Sequence, residues 1–170
     1  MKFIFATILL LFIAGTNTLA QEKSSAKNWT GKWRGTLTNT PARPGSVRVE
    51  VTREIEGIPA ADNACTKFRT TYTENSVVKG VKDYRLCRGT GADDLFIDEG
   101  HGIKLTARWI GDVLVSPFKY DNILLISSMR LRGDILEEEI LSVEDKPAIK
   151  GVQPLLPRSL QRLELKRVQD

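Results

Sequence analysis

Apolar and polar residues alternate with a period of two through most of this chain, and that period restricts the fold more than any other feature. Trp29, Gly31, Trp33, Gly35 and Leu37 share one side of an extended chain, and Thr30, Lys32, Arg34, Thr36 and Thr38 share the other. Val47, Val49 and Val51 alternate with Arg48, Glu50 and Thr52, and Phe68, Thr70 and Tyr72 with Lys67, Arg69, Thr71 and Thr73. Later, Ile103, Leu105, Ala107 and Trp109 alternate with Lys104, Thr106 and Arg108, and Leu163 and Leu165 with Arg162, Glu164 and Lys166. Successive side chains of a strand point to opposite faces, so this pattern predicts strands that are wet on one side and packed on the other.

Turn-forming residues punctuate the pattern at short intervals, around residues 41–45, 74–80, 89–94, 99–102, 111–112, 120–122 and 133–134. Many strands joined by tight turns predict an antiparallel meander. No amphipathic helix competes with this reading. The nearest candidate, residues 146–158, contains Pro147, Pro154 and Pro157, and proline breaks helix interiors. It reads as a covering loop, with Val152, Leu155 and Leu156 as plug residues. An open sheet of so many strands leaves two exposed edges, and closure removes them. The expected fold is therefore an all-β, up-and-down barrel of roughly 8–10 strands. A two-sheet sandwich is the competing architecture, but it requires long crossings where this chain has hairpin-like connections.

Residues 1–20 stand apart from the fold. Lys2 precedes an almost unbroken apolar run from Phe3 to Gly15, and small residues at Thr18 and Ala20 suit cleavage before Gln21. The run is too short to span a bilayer and has the layout of a secretory signal peptide. A short tail, 21–28, then leads into one barrel domain, 29–170, that is secreted or periplasmic, with no membrane insertion after cleavage. Asn28, Trp29 and Thr30 form a sequon, glycosylated only in a eukaryotic secretory route.

The formal charge of +4 comes from basic residues scattered among carboxylates, not from a concentrated stripe, so nucleic acid is not an expected partner. The two cysteines, Cys65 and Cys87, lie equally far from Ser76, inside a proposed turn. Directly opposed positions in that hairpin bring Cys65 to Cys87 and Phe68 to Tyr84, and place both cysteines on the polar outward face. A cross-strand disulfide is expected, as suits an exported chain. The same register sets Lys67 against Arg85, a like-charge pair that counts against it. Two cysteines and the single His101 are too few for a metal site of the usual kind, and none is expected.

The Gly31, Lys32, Trp33 triplet, opening the first strand after an export signal, resembles the Gly-x-Trp motif of the lipocalins and the wider calycin superfamily. In that group the tryptophan closes one end of the barrel and an arginine from the last strand packs across it. The resemblance therefore implies barrel-closing roles for Trp33 and for Arg162 or Arg167. Trp33, Arg34 and Gly35 are also similar to the opening of the nitrobindin-like haem barrels. Their haem-ligating histidine lies late in the chain, however, whereas His101 is central and in a turn, so no cofactor is expected.

Trp33, Phe68, Tyr72, Tyr84, Trp109 and Met129 all fall on the inward parity of their strands, where they either line a ligand cavity or fill a core. Glu137, Glu138 and Glu139 stand between apolar pairs. A bulge would let all three reach solvent; an unbroken strand would turn Glu138 inward, where an arginine or tyrosine partner would make it the polar anchor of a cavity. Asp93, Asp94, Asp98 and Glu99 beside His101 read as a solvated acidic turn, with cation binding or acid–base work as the alternative. No nucleophile–base constellation is recognisable, so enzymatic activity ranks last. The expected function is binding of a small, largely apolar ligand inside the barrel; the alternative is a filled-core protein-interaction or inhibitor module.

Overall fold

The computed structural model describes residues 28–42 and 44–169. The proposed signal peptide and most of the tail after it lie outside the described residues. Ten strands follow one another: β1 (Gly31–Thr40), β2 (Val49–Ile55), β3 (Cys65–Glu74), β4 (Val77–Arg88), β5 (Leu95–Gly100), β6 (Ile103–Ile110), β7 (Val113–Tyr120), β8 (Ile123–Arg132), β9 (Ile135–Asp145) and β10 (Leu155–Arg167). Each pairs antiparallel with its neighbour in sequence, and β1 pairs with β10 to close the barrel. The sandwich is thereby excluded.

Trp33, Val51, Phe68, Leu86, Leu95, Leu114, Met129, Leu136, Leu163 and Leu165 face inward and are buried. Each such side chain contributes about 1.5–3 kcal/mol on leaving water. Two details of β1 show why its glycines accompany its tryptophans. A Cβ on Gly31 would lie 2.5 Å from Nη1 of Arg167, and one on Gly35 would lie 2.0 Å from the backbone oxygen of Glu164. The missing side chains let the last strand and its arginine close against the first.

The β3–β4 hairpin joins Cys65 to Cys87 and sets Phe68 opposite Tyr84, as its spacing predicts. Its turn is centred between Asn75 and Ser76, both at positive φ, as a two-residue hairpin turn requires. A bulge between Tyr72/Thr73 and the facing Val78/Gly80 then restores the register that centres on Ser76. Lys67 does face Arg85, but Lys67 is ion-paired with Glu54 of β2, and Arg85 lies 2.7 Å from Asp98 of β5. Flanking carboxylates thus neutralise the like-charge contact. Both cysteines keep the outward parity expected of them, but only Cys65 is exposed, and Cys87 is completely buried. The β2–β3 connection, with its buried Pro59, runs beside it and bonds Asn63 and Ala64 to Gly89 and Arg88.

Candidate functional site

The barrel has a closed end and an open end. At the closed end Trp33 is fully buried, and its Nε1 donates to the backbone oxygen of Trp29 at 3.0 Å. Arg167 lies across the ring, with its guanidinium carbon 4.0 Å from the ring centroid. That guanidinium also donates to the backbone oxygens of Thr30 and, at 2.6 Å, of Asn28, which ties the entry of β1 to the end of β10. Trp109 packs edge-on against Trp29, at 5.3 Å between centroids. It belongs to this plug and not to a cavity. Arg162, the other candidate for the tryptophan, instead pairs with Glu139 at 2.6 Å on the outer wall. Its even-numbered position points away from the interior that Leu163 and Leu165 face, so it cannot reach Trp33.

Halfway up the interior the lining becomes polar. Arg53 of β2 and Glu138 of β9 meet there, with Nη2 2.7 Å from Oε2 and side chains only 4% and 7% exposed. These strands are separated in the wall by β1 and β10, so the pair spans the lumen. Arg53 Nε donates to Thr70 Oγ1 at 3.1 Å, and Ser127 Oγ donates to Glu138 Oε1 at 2.9 Å. Phe68 lies under the guanidinium at 5.1 Å. Among the described residues, two hydrogen-bonding sites stay open in this network. Arg53 Nη1 has only the Met129 thioether, at 3.6 Å, and sulfur is a weak acceptor. Glu138 Oε2 is held in the ion pair with Arg53 Nη2 but, among the described residues, receives no hydrogen bond.

Glu138 is inward because β9 runs through Glu137, Glu138 and Glu139 without a bulge, pairing in continuous register with β8. Glu137 takes Arg130 and Glu139 takes Arg162, both on the outer wall. The reading in which all three reach solvent is therefore incorrect. Arg53, its partner, escaped sequence reasoning. Its signal was present: continuing the β2 alternation past Val49 and Val51 places Arg53 on the apolar face.

Above this floor the barrel opens. Leu37, Val49, Tyr72, Tyr84, Ile97, Leu105, Phe118, Leu125 and Ile140 all face inward, yet each is only half-buried, in contrast to the sealed lower layer. Burial raises the Tyr72 hydroxyl above its ordinary pKa, with nearby Arg53 opposing the shift and Glu138 adding to it. Tyr84 is pushed up to about 12, by burial first, then by the charge of Glu99 and a hydrogen bond to it. The Lys82 ammonium sits 5.9 Å from the Tyr72 ring and 5.8 Å from the Tyr84 ring. Glu99 thus joins the rim, whereas Asp98 faces outward to Arg85 and Asp94 accepts from the Thr90 amide. His101 is exposed in a turn. The acidic stretch therefore does not converge on one centre. Val152, Leu155 and Leu156 are 65%, 47% and 38% exposed, so they are not plugs; β10 already begins at Leu155, and the connection before it is bonded to itself through Lys146–Pro154 and Ile149–Val152.

One seam interrupts the wall. β6 and β7 pair only at Arg108–Val115, Trp109–Leu114 and Ile110–Val113. In the continued register Pro117, which has no N–H, faces Thr106, and the Thr106 oxygen is taken by the Ser116 hydroxyl at 2.8 Å. Outside this seam lies an open groove of about 720 Å³ lined by Ile110, Val115, Pro117 and the 90–95 segment.

The sequence-based candidates thus divide. Phe68, Tyr72, Met129 and Glu138 come together at the polar floor and Tyr84 lines the rim, while Trp33 and Trp109 seal the far end. In comparisons with known proteins, no family model, no curated protein and no solved structure matches this chain.

Proposed function

We propose that this protein is an exported carrier that holds a small, largely apolar molecule in the upper half of its barrel. The observation that supports this best is the gradient inside the lumen. Most inward-facing side chains below the Arg53–Glu138 layer are sealed and most above it are half-exposed, although the majority of those above are apolar. An apolar cup with a few convergent polar groups at its base suits a ligand with an apolar body and one polar end. The wall of β1–β3 suits a carrier in water: Lys32, Arg34, Glu50, Glu54, Lys67 and Arg69 lie outside it and Trp33, Val51 and Phe68 inside, the reverse of a wall embedded in lipid. The disulfide is consistent with an extracellular or periplasmic location.

The test is titration with a polarity-sensitive fluorescent dye. One saturable site per chain is expected, lost in Val49→Trp, which fills the cup, and retained in Arg162→Ala on the outer wall. An extrinsic dye is preferable to intrinsic fluorescence because Trp29, Trp33 and Trp109 are all in the closed end. The outer groove beside the β6–β7 seam favours a second reading, an interaction or inhibitor module. That reading gains if dye binding is absent and an Ile110→Asp substitution abolishes a complex captured from the native compartment.

A further inference from the structure

The chemistry of the floor restricts the ligand further, on the reading that the cup is a binding site. We infer that it selects molecules whose buried end is an uncharged hydroxyl, in preference to carboxylates or amines with the same apolar body. Arg53 and Glu138 are in contact and almost wholly buried, so the floor carries both charges and a net charge of zero. The groups around the pair are Thr70, Ser127, Met129, Phe68 and Tyr72, none of which adds a formal charge in its ordinary neutral form, and higher up, beside the Tyr72 and Tyr84 rings, Lys82 and Glu99 again supply one charge of each sign. Leu163 faces Glu138 from β10.

A carboxylate arriving here would face Glu138 as well as Arg53, and an ammonium would face Arg53 as well as Glu138. Either would leave a third charge in a low-dielectric site without a partner of its own, which is costly. The two open positions ask for something else. Arg53 Nη1 has room for an acceptor better than a thioether, and Glu138 Oε2, ion-paired with Arg53, has a lone pair free for a donor. A hydroxyl is both donor and acceptor in one atom, and it brings no charge.

The experiment compares a fatty alcohol with the fatty acid of equal chain length, each displacing the fluorescent dye at neutral pH. The alcohol is expected to bind at least about tenfold more tightly to the wild-type protein, the scale of one unpaired buried polar group. In Glu138→Gln the side chain keeps its shape and can still bond Ser127, but the Arg53 charge is no longer balanced. There the preference should reverse, with the carboxylate gaining at least about tenfold over the alcohol. Near-ultraviolet circular dichroism establishes that the variant is folded, and the wild-type comparison stands without it. If the wild-type protein binds the acid as tightly as the alcohol, the inference is overturned and the carrier reading survives. An unchanged preference in folded Glu138→Gln would place the ligand's polar end elsewhere and also overturn it. Failure of the dye and both lipids to bind would remove the carrier reading itself.

Discussion

Removing one member of the Arg53–Glu138 pair should cost far more stability than removing both. With Nη2 and Oε2 2.7 Å apart, the attraction at an effective dielectric near 20 is about 4–6 kcal/mol. Desolvation of two ions costs several kcal/mol each, so the intact pair contributes little net stability. Glu138→Leu leaves Arg53 charged in a site where its side chain is 4% exposed, and the expected loss is about 3–5 kcal/mol. The same loss is expected for Arg53→Met, which leaves Glu138 unpaired. The double variant, with both charges replaced by apolar groups of similar volume, should lie within about 1–2 kcal/mol of wild type or exceed it. Urea unfolding of all four proteins, analysed as a double-mutant cycle, provides the measurement. Single substitutions that each cost under about 1 kcal/mol would show that water reaches the pair. A double variant as unstable as the sum of the singles would refute the coupling across the lumen.

Three further outcomes follow from the geometry. The Cys65–Cys87 bridge closes a sequence separation of 22 residues, for which loop entropy gives about 3 kcal/mol. Cys65→Ala/Cys87→Ala and the reduced wild-type protein should therefore both melt roughly 6–12 °C lower in calorimetry, and an unchanged midpoint would count against the bridge. Arg167→Ala loses the ring contact and the bonds to Asn28 and Thr30, so it should cost about 1–3 kcal/mol, while Arg162→Ala should cost under about 1 kcal/mol; equal losses would deny Arg167 its closing role. Tyr84 has a folded pKa of about 12, above its unfolded value of about 10. The protonated form is thus favoured by folding, and that contribution is complete below about pH 10 and lost as pH rises towards 12. A difference titration of phenolate absorbance between wild type and Tyr84→Phe should show the high midpoint, and Glu99→Gln should lower it in part.

Alternation alone carries the strand inventory because each strand has one face in water and one in the lumen, so each sequence position reports its own burial. Local turn chemistry carries the β3–β4 register for the same reason: Asn75, Ser76 and the bulge are all within a few residues of one another. The floor was legible only by halves. Glu138 drew notice as a carboxylate between apolar neighbours, and Arg53 sat on an apolar face without drawing any. Nothing local joins them, since they stand 85 positions apart and meet only when the barrel closes. The choice between Arg162 and Arg167 shows the same limit. Both stand in the last strand, but only residue 167 has the inward parity and the height along the strand to reach Trp33. The open upper lumen could not be read at all, because side-chain exposure there depends on how strands from both ends of the chain assemble.

The pairing of β1 with β10 has a consequence for how the chain acquires its structure. Trp33 lies opposite Arg167, and the amide of Val168 donates to the Lys32 oxygen at 2.7 Å. The final seam thus joins the segment nearest the start of the described chain to the segment nearest its end. Every other seam can form as soon as the next hairpin emerges, and the disulfide is among these early, local events. The closing seam has to wait for the whole length, at the greatest loop entropy in the molecule. Until then two unpaired edges and an uncovered tryptophan stand open to other chains. A chain whose last strand is not yet free is thereby kept from completing its barrel, and the order of synthesis becomes the order of assembly.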